Sequence, residues 1–148
     1  MATVVHDDFR DGQLGTPSAP LTTVDFDADA IDIALLDQTD SGAIVAATSN
    51  YGSVDTAVVV ADRADSSDVP LLSKTVGVVA TGVFDAANVT FNTITGDAAD
   101  YLTLYHYNAT PANAALIVTW DSATTGLPVT PNGGDITVTW NASGILQI

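Results

Sequence analysis

Leu116-Ile-Val-Thr-Trp120 and Asp135-Ile-Thr-Val-Thr-Trp140 are the two stretches whose reading decides the fold. In the second, Ile136, Val138 and Trp140 fall on one side, and Thr137 and Thr139 on the other. That two-residue period marks a half-buried strand. Asn132-Gly133-Gly134 before it and Asn141 to Gly144 after it are turn signals. Each Val-Thr-Trp segment can send an indole into one shared core. Residues 145–148 are expected to close the chain as a short apolar strand.

Working outward, the same logic marks further strands. Ile31-Asp-Ile-Ala-Leu-Leu36 is the first, and residues 43–48 and 57–61 follow. Residues 71–81 read as one long strand bent at Gly77. In residues 88–94, Val89, Phe91 and Thr93 oppose Thr90, Asn92 and Ile94. In residues 101–107, Tyr101, Thr103, Tyr105 and Tyr107 share a face opposite Leu102, Leu104 and His106. A helical turn is placed near Val54. About eight or nine short strands with turns between them predict an all-β fold. The expected form is an antiparallel two-sheet β-sandwich, jelly-roll or immunoglobulin-like.

Residues 1–30 are poorly patterned, interrupted by Asp7, Asp8, Asp11, Gly12, Gly15, Pro17 and Pro20. They are expected to form an extended N-terminal arm ahead of a sandwich domain at residues 31–148, either hugging the surface or frayed, or lying along a neighbouring subunit. Val4, Val5 and Phe9 would be the arm's apolar contacts with a neighbouring subunit.

Composition narrows the function. All 18 acids are Asp, the only bases are Arg10, Arg63 and Lys74, and the net charge is −15. Nucleic-acid binding needs Lys and Arg to neutralise phosphate, so no nucleic-acid partner is expected. An anionic membrane surface is disfavoured for the same reason, and no apolar run approaches membrane-spanning length. The chain has no cysteine, which removes disulfides, thiol nucleophiles and Cys-ligated zinc. Without Glu and with one Lys, it is short of strong helix formers.

Several residue groups invite a chemical reading. Asp25, Asp27, Asp29 and Asp32 lie close together, but the EF-hand order fails: its sixth and twelfth places hold Ala30 and Leu36. The solvated face of a strand accounts for the spacing, and no metal or cofactor is expected. His6 and His106 are the only histidines, and no Gly-x-Ser-x-Gly elbow accompanies them. No enzymatic activity is expected. Tyr101, Tyr105 and Tyr107 form either part of a core or partner interface, or a platform for stacking carbohydrate.

Four segments together resemble a family of small tailed-bacteriophage virion proteins. They are Ile31-Asp-Ile-Ala-Leu-Leu-Asp37, Leu72-Ser-Lys-Thr-Val76, Gly82-Val-Phe-Asp-Ala-Ala-Asn-Val-Thr-Phe91 and Thr125-Gly-Leu-Pro-Val-Thr-Pro-Asn-Gly-Gly-Asp-Ile-Thr-Val-Thr-Trp140. The resemblance runs over residues 25–148 and is most specific over 121–140. It departs over residues 1–24, 41–67 and 141–148. It implies a structural part of a phage particle. With the acidic charge, that points to the outer capsid surface and a decoration or cement role. The expected partners are the major capsid protein and copies of the chain itself in a symmetric oligomer, a trimer being one form. The alternatives are a tail, neck or fibre component of the virion, or a carbohydrate-binding module.

Overall fold

The structure, a computed structural model, describes residues 3–14, 23–38, 43–48, 50–51, 68–121 and 126–147. The expected strand at residues 57–61 and the helical turn near Val54 lie outside them. The described chain is mostly β, and its strand pairs are antiparallel. The elements are β1 Thr3–Val5, α1 Asp7–Gln13, β2 Ile31–Leu36, β3 Val69–Pro70, β4 Thr75–Val76, β5 Val83–Asp85, β6 Val89–Phe91, β7 Tyr101–His106, β8 Leu116–Trp120, β9 Ile136–Val138 and β10 Leu146–Gln147. No described helix is long and apolar enough to cross a membrane.

The β-rich runs pair into a five-stranded sheet, order β1-β8-β7-β2-β3, a three-stranded sheet β10-β5-β4 and a two-stranded sheet β6-β9. The five-stranded sheet is built around β2 and β7, which pair from Ile31↔His106 to Leu36↔Tyr101. Every β2 residue is buried, because both faces of this sheet are covered. One face carries Ile31, Ile33, Leu35, Leu102 and Leu104 into a single cluster with Phe84, Val89 and Phe91 of the smaller sheets. Burying each such side chain contributes about 1.5–3 kcal/mol. The opposite face packs Ala34, Leu36, Tyr101, Tyr105 and Leu116 against Ile44 and Tyr51. A register shift between Leu104 and Tyr105 lets both Ile117 and Val118 join the first cluster, since a bulge interrupts alternation.

The strands β5 and β6 run on from one another, as do β9 and β10. Val89 follows Phe84 by five residues, but their partners Val138 and Leu146 are eight apart. The surplus forms the turn at Asn141 to Gly144, closed by Gly144 N–H donating to Asn141 O at 2.9 Å.

Three expectations need correction. Residues 3–14 are no free arm. The edge strand β1 pairs with β8, and α1 seats Phe9 in the main core at 2% exposure. Asp7 sits in the helix's first turn and Arg10 in its last, a polarity the helix dipole favours. The expected strand at residues 43–48 is a turn, with Thr48 N–H donating to Val45 O and Val45 N–H to Thr48 Oγ1. The long strand at residues 71–81 is broken by left-handed backbone at Ser73 (φ 52°) and Gly77 (φ 73°), leaving only β4.

Candidate functional site

The six residues singled out as partner contacts do not form one surface. Val4 lies in β1, in register with Thr119. Val5 is half-buried against the main core. Phe9 meets Phe26 edge to face, ring centroids 5.7 Å apart. Tyr101 and Tyr105 are buried, and only Tyr107, just past β7, is exposed. The alternation of β7 is as expected, but its tyrosine face is covered, so a stacking platform on Tyr101, Tyr105 and Tyr107 is ruled out.

Along that face runs a polar band. His6 Nε2 is 3.0 Å from Thr119 Oγ1, which is 3.0 Å from Thr103 Oγ1; all three residues are buried. At the other end Tyr51 stacks on Tyr105, interplanar angle 7° and centroids 4.2 Å apart. Tyr51 Oη donates to Asp68 Oδ1 at 2.8 Å, and Tyr105 also hydrogen-bonds Asp68. Burial first, then the Asp68 charge, pushes the Tyr105 phenol far above its ordinary range. Asp32 lies on the same face; burial and then Asp68 raise its carboxyl above 3.8, with Lys74 opposing. The network joins β7 and the Tyr51 segment to Asp68 and keeps the Tyr105 phenol protonated. It is a staple between segments distant in sequence.

The Asp25 to Asp29 run is a capped turn, not a strand face. Asp29 N–H donates to Asp25 O at 2.7 Å, while Asp25 Oδ1 accepts from Asp27 and Ala28 N–H. Phe26 is buried, while Ala28 and Ala30 are exposed. Lys74 Nζ donates to Asp29 O, and His106 Nε2 lies 3.6 Å from Asp29 Oδ2. Among the described residues no group of three His, Cys, Asp or Glu could hold a metal ion. His106 meets an acid, and His6 meets Thr119.

Two exposed features stand out instead. The first is an aliphatic loop around the β4–β5 turn: Leu72 is 66% and Val78 75% exposed, and Val76 and Val79 are also exposed. Its apolar run predicts a strand, but left-handed backbone at Ser73 and Gly77 turns it outward as a loop. The second is an open groove of about 440 Å³ between β9, residues 126–129 and the end of the five-stranded sheet. Trp120 and Trp140 meet there at 5.9 Å between ring centroids and 43° between planes. Both indoles are half-buried against the main core. Trp140 is fixed by its Nε1–H donating to Ala87 O at 3.1 Å and its backbone N–H donating to Asn88 Oδ1. The two Val-Thr-Trp segments therefore do converge, at the rim of the core.

A scan against protein-family models finds no match to this chain, and a search of the curated proteins finds no significant relative, so its function has to be argued from these surfaces.

Proposed function

We propose that the protein is a structural component of a tailed-phage particle. It decorates the outer capsid surface, binds the major capsid protein and stabilises the joints between capsomers. The fold is read accordingly as a two-sheet sandwich of the jelly-roll or immunoglobulin-like kind. The observation that carries the binding role is the solvent-facing aliphatic loop of Leu72, Val76, Val78 and Val79. An exposed apolar patch on a monomer marks a contact surface. Residues 69–84 around it contain no acid, although the chain carries 18. The patch is thus the part of the surface best suited to meet another protein. It replaces residues 1–30 as the contacting element. Area buried there contributes modestly per copy, and many copies add up. The acidic remainder suits a solvent-facing position away from packaged DNA. Self-association into a symmetric oligomer belongs to the same reading.

The test is copy number in purified particles that contain the protein. A number comparable to that of the major capsid protein is the expected result. A number equal to the portal's would reject decoration in favour of a neck or tail part. In the same particles Val78→Asp is expected to abolish incorporation without lowering the melting temperature of the free protein.

A further inference from the structure

The groove beside β9 combines three features that the aliphatic loop lacks. First, it has an open strand edge. In the two-stranded sheet, β9 has β6 as its partner and no other described strand. Thr137 and Thr90 face each other with Oγ1 atoms 3.1 Å apart. Gly134 C=O and Trp140 N–H both point to the β6 side, accepting from Ile94 and donating to Asn88 respectively. By the two-residue alternation, the N–H and C=O groups of Thr137 and Thr139 point to the opposite edge, into the groove that both residues line.

Second, the walls beside that edge are apolar and aromatic: Trp120, Trp140, Leu127, Leu102 and Ile145. Third, among the described residues none that lines it is charged, in a chain of net charge −15. A charged guest would leave water without a counter-charge there, whereas an uncharged one avoids that penalty and can recover its backbone hydrogen bonds along the strand edge. Backbone donors and acceptors along one side of an apolar trough suit an extended polypeptide. Main-chain bonds supply affinity, and alternate side chains fill the pockets. The indoles are tilted rather than coplanar, which makes a wedge for a side chain rather than a flat platform for a sugar ring.

We infer that this groove is a strand-addition site: it takes an extended, uncharged, apolar peptide segment of another protein, laid along the free edge of β9 between the two indoles and Leu127. A second copy of the chain is the poorer guest, because two molecules of charge −15 repel at long range. The inference does not depend on the capsid reading, since any protein with a neutral extended segment satisfies it.

Trp120 and Trp140 are the only tryptophans, so emission excited selectively from tryptophan reports on this groove alone. The probe is a capped hexapeptide of alternating valine and threonine, titrated into the full chain. A saturable emission change is expected, and a version with two aspartates in place of threonines should give none. Thr139→Pro, which removes one edge N–H, should weaken binding about tenfold, the loss of one backbone hydrogen bond. In the unmutated protein, the amides of Thr137 and Thr139 should exchange more slowly with the peptide bound. Absence of that protection, or binding insensitive to Thr139→Pro, would overturn the inference. So would saturation by a soluble cello-oligosaccharide with the peptide silent, or a dimer of the free chain that Thr139→Pro dissociates.

Discussion

The tyrosine face and the tryptophan groove are two aromatic pairs on opposite sides of the same five-stranded sheet. Tyr51 and Tyr105 lie parallel and buried, with hydroxyls spent on Asp68. Trp120 and Trp140 lie tilted and half-open, with one indole N–H spent on a backbone carbonyl. One member of each pair comes from a strand of that sheet, Tyr105 from β7 and Trp120 from β8. What separates them is cover. The segment holding Ile44 and Tyr51 folds over the first pair, while the strand edge beside the second has no described neighbour. Aromatic residues on a strand face become core or binding surface according to what the rest of the chain lays over them.

The largest expected effect sets the two pairs against each other. Tyr105→Ala should destabilise the protein by about 3–5 kcal/mol, the range for removing a fully buried aromatic ring. Trp140→Ala should cost clearly less, about 1–2 kcal/mol, because its ring is only partly withdrawn from water. Urea unfolding of the two variants measures the gap, and equal costs would break the contrast. Next comes the turn that shapes the groove. Gly144 has φ +95°, and a Cβ there would lie 2.2 Å from Val83 Cγ1. Gly144→Ala should therefore cost about 2–3 kcal/mol by strain and clash together. A shift in tryptophan emission should accompany it.

A smaller effect tests the polar side. The folded state raises the Asp32 carboxyl above 3.8, so between the unfolded and folded values the folded protein holds more protons. Stability from that source then falls as pH rises from the unfolded toward the folded value, and the penalty is fully present above the folded value. Asp32→Asn should raise the melting temperature at pH 7 by roughly 2–4 °C, about 1 kcal/mol for a chain of this size. The advantage should fade as pH is lowered toward 3.8. A gain that persists unchanged at low pH would show that charge burial is not its cause. Smallest of all, the exposed Thr90–Thr137 pair should contribute about 0.2–1 kcal/mol. Thr90→Ala in thermal unfolding measures it, and a larger loss would mean that the β6–β9 pair carries more of the core than its exposure suggests.

Much of the strand pattern was legible. The pairing segments β2, β6, β7, β8 and β9 fall within stretches whose alternation or apolar run marks them. Failures occur where a single backbone angle overrides composition. Thr93, at φ 55°, reverses the alternation of residues 88–94, so Ile94 is buried and Thr93 exposed. Ser73 and Gly77 do the same to residues 71–81. The N-terminal segment was missed because its strand has three residues and its helix seven, too short for periodicity to register. Its clue was the order of charges, Asp7 before Arg10, around a buried Phe9. The candidate site is half legible: the pattern marks the two tryptophan segments as convergent, but for the tyrosines it leaves core, partner interface and exposed platform all open.

By itself the sequence determined the β class, the alternation of most paired strands, the excess negative charge and the meeting of two indoles. Those follow from local periodicity and composition, which act within a few residues. Only the tertiary structure decided which aromatic face is sealed, that residues 3–14 belong to the sheet and core, and that no described strand pairs with the second edge of β9. Those outcomes depend on contacts between segments as far apart as His6 and Thr119. A strand's own pattern can say which side is apolar, but it carries no information about what will come to lie against it.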